Sequence, residues 1–162
     1  ALGHRRIAHV LGHPAHGASQ WRLDGYRRGL AKAGLPIDPG LEVAGEFSFE
    51  SGVYAAQRLL DMAPMPTAIF AANDDMAAGV LHVAHQRGLR VPEDLSVVGF
   101  DDTPISRQLF PLLTTIHQPT RDMGRLATGA LLAHIREPNP AHLQRVPHMH
   151  KVRESTGPAP RP

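Results

Sequence analysis

At 162 residues, the chain is long enough for one domain with a sizeable core, and its 42% hydrophobic content argues against disorder. It has no cysteine, which excludes disulfides, thiolate catalysis and Cys-based zinc sites and fits a cytoplasmic protein. The formal charge is only +2 with arginines scattered along the chain, so a nucleic-acid patch is not needed, and no apolar run approaches the ~20 residues of a membrane span.

Arg6 to Gly12 reads as a first strand. Ser19 to Ala33 reads as a helix capped by Ser19 and ended by Gly34. Leu41 to Phe47 reads as a strand, and Ser48 as the N-cap of a helix running to about Met62, with Glu50 and Ser51 in its first turn. Ala68 to Ala72 is a short unbroken apolar run, as in a strand buried on both faces of a parallel sheet. After Asn73-Asp74-Asp75 comes a helical pattern, with Met76, Val80 and Ala84 on one stripe, Ala77 and Leu81 beside it, and Gly88 at the C′ position. Ser96 to Phe100 is the next apolar strand and ends in Asp101 and Asp102. This alternation predicts right-handed βαβ units, a parallel sheet and a three-layer α/β/α fold.

Leu113 to Gln118 reads as a further strand. Thr120 to Arg136 is amphipathic, with Met123, Leu126, Ala127, Ala130, Leu131 and Ile135 on one stripe. Pro138 and Pro140 break it, Gln144 to Val152 reads as a last strand, and the Pro-rich tail from Gly157 to Pro162 reads as disordered.

Ligands of open α/β sheets bind outside the carboxyl ends of the strands, which places Asn73 and Asp101 side by side at that rim. Arg22 follows the loop His13 to Gln20, on the first turn of its helix. A guanidinium there can fork onto hydroxyls or a carboxylate, or it is a plain surface arginine. Helix N-capping is the competing reading for both Asn73 and Asp101, and for Asn73 it weighs nearly as much as ligand contact. Phe47, at a strand end, is by type more often a core residue. His82 with His85, and His148 with His150, lack a third ligand at diagnostic spacing, so no metal and no cofactor is expected. There is no G-x-S-x-G, P-loop or G-x-G-x-x-G motif, and no residue set supports an enzyme.

Several pieces, in order, carry a resemblance: L-G-H-R-R-I-A at Leu2 to Ala8, R-L-D-G-Y at Arg22 to Tyr26, P-T-A-I-F-A-A-N-D-D-M-A-A-G from Pro66, G-L-R-V-P-E-D-L-S-V-V-G-F-D-D ending at Asp102, P-L-L-T-T-I-H-Q-P from Pro111 and R-E-S-T-G-P from Arg153. Together they resemble the effector-binding domain of the LacI/GalR transcription regulators, a periplasmic-binding-protein-like fold, and lie closest to the purine- and ribose-type members. The resemblance implies that residues 1–112 form the C-terminal lobe. Residues 113–143 would supply a crossover strand and a helix of the other lobe, and residues 144–156 a returning strand. It further implies that the helix-turn-helix module and most of the N-terminal lobe lie outside this chain, leaving the stripe of helix 120–136 without its own sheet.

The resemblance also suggests roles. Arg22, Asn73 and Asp101 would contact an effector (a sugar, nucleoside or purine), with Phe47 as an aromatic wall and His16 and Gln118 as weaker contacts. A homodimer would form through Ser48, the face around Ala77, Val80 and Leu81, and the loop with Ile105, Leu109 and Phe110. DNA would be bound only through the missing module. Two other classes compete. A periplasmic sugar-binding protein of a transporter shares the fold but would carry a secretion signal, and the polar-rich Ala1 to Val10 is not one. A receiver-like phosphoacceptor needs a lysine near its acidic strand ends, and Lys32 and Lys151, the only two lysines, are not at strand ends.

Overall fold

The computed structural model describes residues 2–137 and 145–160. A parallel sheet in the order β2-β1-β3-β4 forms its centre, made of β1 (Ile7–Val10), β2 (Glu42–Val43), β3 (Ala68–Ala71) and β4 (Ser96–Val98). Three helices join these strands: α1 (Gly17–Lys32), α2 (Phe49–Leu60) and α3 (Asp74–Gln86). The expected α/β fold is therefore present, and the strand periodicity explains its layers. Alternate residues Ala8, Val10, Ile69, Ala71 and Val97 point to one face, where they meet Ala55, Ala56 and Leu59 of α2 and Met76, Val80 and Val83 of α3 in one buried cluster. On the other face His9 stacks on Phe70 and meets Tyr26 of α1, whose hydroxyl donates to the Ile7 carbonyl at 2.7 Å.

A second, two-stranded antiparallel sheet pairs β5 (Thr115–His117) with β6 (Met149–Lys151). The β5 segment also runs alongside the end of β4, through parallel bridges from Val98 to Thr114 and from Asp101 to His117. This brings the crossover strand to the rim where β4 ends.

Local chemistry sets the helix starts. Ser48 caps α2 and shares a capping box with Ser51. Asn73 caps α3 by accepting from the Met76 N–H at 3.0 Å. The cap assigned to Ser19 is not used. The helix α1 begins at Gly17, with His16 at its N-cap, and Ser19 instead donates to the His13 carbonyl at 2.6 Å, pinning the loop.

The strands are shorter than the apolar runs suggest. The run Leu41 to Phe47 yields only Glu42–Val43, because Pro39–Leu41 form a 3-10 turn and Phe47 turns away with φ 61°. The run Ser96 to Phe100 stops at Val98, just before Asp101 and Asp102 with φ 112° and 58°. Of the predicted strand Gln144 to Val152 the structure has Met149–Lys151, and Gln144 lies outside the described residues, as do Pro138, Pro140 and Ala141.

Ala77 and Val80 are fully buried in their own chain, and Leu81 nearly so. They belong to the core because α3 is wedged between α2 and the sheet, so Ala77 and Val80 are not the apolar centre of an interface. The tail also departs from expectation up to Pro160. Gly157 N–H donates to Ser96 Oγ at 3.1 Å and Ala159 N–H to the Leu2 carbonyl at 2.8 Å, so these residues close over the edge at β4; Arg161 and Pro162 lie outside the described residues. The amphipathic helix forms as α4 (Thr120–Arg136), with no buried residue. Met123, Leu131 and Ile135 are exposed and Leu126 is half-buried, so the C-terminal strand does not re-cover the stripe.

His9 is a polar residue inside the core. Its Nδ1–H donates to the Phe70 carbonyl at 2.9 Å, and its ring stacks on Phe70 at 4.5 Å. Burial lowers its pKa from 6.5 to about 4. The unfolded chain therefore takes up a proton at higher pH than the folded one. The stability that His9 contributes is complete above about pH 6.5 and drains away as the pH falls towards about 4, by up to about 3 kcal/mol. We expect urea midpoints to fall over that window and His9→Leu to flatten that fall; an unchanged pH slope in the variant would show that another group is responsible.

Candidate functional site

The site lies at the carboxyl edge of the parallel sheet. The loop after β1 leads into α1, whose second turn presents Arg22. Its Nη2 donates to Asp101 Oδ1 at 3.3 Å, and its Cζ lies 4.2 Å from the Phe100 ring centroid and 5.5 Å from that of Phe47. A guanidinium between two ring faces gains cation–π attraction while its edge stays available for hydrogen bonding. Gln118, just past β5, donates through Nε2 to the same Asp101 oxygen.

Phe47 forms the wall beside Arg22. A φ of 61° is a real strain for a bulky residue and costs on the order of 1–3 kcal/mol. Two contacts hold it. Gly12 has no side chain where the Phe47 ring lies, and a Cβ there would collide with the ring. The Asn73 amide donates to the Phe47 carbonyl at 2.9 Å, while its oxygen caps α3. His16 meets the Phe47 ring edge-on at 5.7 Å, and His13 meets His16 edge-on at 5.4 Å.

Arg22, Phe47, Asn73, Asp101, Gln118 and His16 thus converge on one edge, as the strand-end rule requires. Their roles differ. The Asn73 side chain is spent on the helix cap and the Phe47 backbone, so in this structure it braces the wall. Burial raises the Asp101 carboxyl above the ordinary range, against the opposing pull of Arg22 and Gln118. Burial likewise lowers the Arg22 pKa, with Asp101 opposing. Each is thus a poorly hydrated group whose charged form depends on a partner. Chemically, such a pair offers a hydrogen-bond acceptor and a donor beside two aromatic faces.

Some residues here were not legible in the sequence. Phe100 reads there only as a strand end. Asp74 reads as a first-turn and rim residue; it does lie in the first turn of α3, but it is fully buried, accepting from Thr115 Oγ1 at 2.6 Å and from Thr103 N–H at 2.7 Å. Asp102, also read as a rim residue, accepts from Arg153 Nη2 at 2.6 Å, from His117 Nδ1–H at 3.0 Å and from Ser106 Oγ at 3.1 Å. Burial alone would raise the Asp102 carboxyl, but Arg153, Ser106 and His117 outweigh it and hold it below the ordinary range. His82 tilts against Phe49 at 5.6 Å. Among the described residues no cluster of three or more His, Cys, Asp or Glu is placed to hold a metal, and no helix is long and apolar enough to cross a membrane.

Residues 1–156 match the model of the periplasmic binding protein-like domain family. The chain is similar to the ribose operon repressor of Haemophilus influenzae, at 41% identity over 85% of this chain and 41% of that protein. Among solved structures it resembles the transcriptional regulator CelR in complex with cellobiose, with TM-score 0.89 and 41% identity over 94% of this chain and 47% of that one. It also resembles the lac repressor dimer bound to operator and the anti-inducer ONPF, with TM-score 0.90 and 33% identity over 96% of this chain and 54% of that one. The chain spans under half the length of the curated relatives it matches. The chain belongs to the periplasmic binding protein-like domain family, and its relatives are LacI-family repressors.

Proposed function

We propose that this chain is the effector-sensing and dimerisation domain of a LacI/GalR-type transcription regulator, that its effector is a sugar, and that DNA is bound by a module outside the chain. The observation that carries this reading is the Asp101 carboxylate, held by Arg22 and Gln118 beside the Phe47 and Phe100 rings. A carboxylate and a guanidinium fork suit vicinal hydroxyls, and ring faces suit the apolar face of a sugar. The ribose and cellobiose in the names of its relatives support the same class. In this reading the effector acts by differential affinity for two lobe arrangements, and no covalent step is involved.

Isothermal titration with D-ribose, cellobiose, hypoxanthine and guanine tests it. Saturable binding of a sugar supports the reading, whereas binding of a purine alone replaces the sugar with a nucleobase on the same aromatic wall. Silence towards all four counts against both.

The dimer in this proposal uses what the fold leaves uncovered. Phe110 is 96% exposed, with Leu112, Phe49 and Tyr54 also at the surface and Ile105 and Leu109 half-buried. Ser48, at the start of α2, is partly exposed near Phe49. An exposed aromatic amid aliphatic side chains is a suitable anchor for a two-fold contact. Light scattering should give twice the chain mass for the native protein and a single chain mass for Phe110→Asp; a native monomer at high concentration would remove this surface from the proposal.

A further inference from the structure

We propose that Arg153 and His117, acting through Asp102, are positioning residues for Asp101, so that the C-terminal segment controls whether the effector-reading carboxylate is set. The proposal rests on the reading that Asp101 contacts the effector.

Asp101 and Asp102 are consecutive, and both have positive φ, 112° and 58°. Two such residues in a row form a strained corner, and a strained corner persists only where its surroundings over-determine it. The two carboxylates leave this corner towards different partners. Asp101 turns to Arg22 and Gln118. Asp102 turns to Arg153, His117 and Ser106, and its side chain is only 6% exposed. The residues that hold them alternate along one strand end, since His117 binds Asp102 and its neighbour Gln118 binds Asp101.

Arg153 ties this corner to the rest of the chain. Besides Asp102, it donates through Nη1 to the Leu113 carbonyl at 2.7 Å and to Ser106 Oγ at 3.2 Å, and its backbone N–H donates to Thr114 Oγ1 at 2.9 Å. One guanidinium therefore fastens Asp102, the 3-10 turn Pro104–Arg107 and the approach to β5. Among the described residues Arg153 makes no hydrogen bond to Arg22, Phe47 or Gln118, so it acts on the site through the groups it fastens, of which Asp102 alone adjoins Asp101. Without the fork, the Asp102 backbone relaxes from the left-handed region. The Asp101 carboxylate, joined to it by one peptide unit, then swings off Gln118 and Arg22.

The test combines nuclear magnetic resonance with titration on the intact chain. In the native protein the Gln118 side-chain amide should resonate away from solvent-exposed amides, reporting its bond to Asp101. In Arg153→Met we expect it to move to the exposed position, and the affinity for whichever of D-ribose and cellobiose binds the native chain to fall about tenfold or more. Glu154→Ala serves as the control: it removes the side-chain acceptor of the Leu112 N–H in the same segment without touching Asp102, and should leave the Gln118 amide in place. If Arg153→Met does not fold, Arg153→Lys, which keeps the charge but not the fork, is read the same way. A folded Arg153 variant with an unmoved Gln118 amide and native affinity overturns the proposal. If neither sugar binds the native chain, the effector reading fails, while the amide signal still decides whether Arg153 positions Asp101.

Discussion

Replacing Gly79 with valine should destabilise the protein by about 3 kcal/mol or more, a large part of the 5–15 kcal/mol typical of a domain. The cause is the closeness of α2 and α3. A Cβ at Gly79 would lie 2.7 Å from the Val53 backbone nitrogen, and one at Gly52 would lie 2.6 Å from Met76 Cα. The obstacles are backbone atoms within helices, so no side chain can swing aside to make room. The helices must separate, which opens the cluster of Ala55, Ala56, Met76 and Val80. Because Asn73 caps α3, the shift also reaches the brace on Phe47. Urea unfolding checks this. Gly124→Ala on α4, where a Cβ meets nothing, should instead be neutral or stabilising by up to about 1 kcal/mol. Equal effects at both positions would show that helix packing is not the source.

Asp101→Ala should cost roughly 1–3 kcal/mol of sugar binding, or about 5- to 150-fold in affinity. The variant leaves Arg22, with a side chain only 13% exposed, without its carboxylate and removes the acceptor for Gln118. Ligand hydroxyls would lose their acceptor at the same time. Calorimetric affinity at matched folded fraction measures the effect. Native affinity in a folded Asp101→Ala protein would remove Asp101 from the proposed contacts.

Much of the fold was legible because short-range rules decide it. The stripe from Thr120 to Arg136 has the helical period throughout, and α4 has those bounds. Ser48 and Asn73 cap their helices because an oxygen on a short side chain reaches the free N–H groups of the first turn. The strand ends were less legible. An apolar run does not announce where its ladder stops, and here it stops where Phe47, Asp101 and Asp102 adopt positive φ.

The candidate site was legible in part for the same reason. Strand ends collect ligand-facing groups, and that rule placed Asn73 and Asp101 at one rim, to which the resemblance added Arg22. Asn73 showed its limit, since an asparagine at a helix start serves as well for capping as for ligands. The α3 residues showed another. A helix that is apolar on nearly every side reads alike whether a partner chain or its own core covers it, and Ala77 and Val80 are in the core. The Arg153 network lay beyond reach, because Arg153 and Asp102 are 51 positions apart and nothing local to either announces the pairing.

The most direct test of the central claim is a crystal structure with a bound sugar. The account predicts a sugar ring against Phe47, with hydroxyls within hydrogen-bond distance of the Asp101 carboxylate and the Arg22 guanidinium. A sugar seated elsewhere, with the Asp101–Arg22 pair untouched, would contradict it.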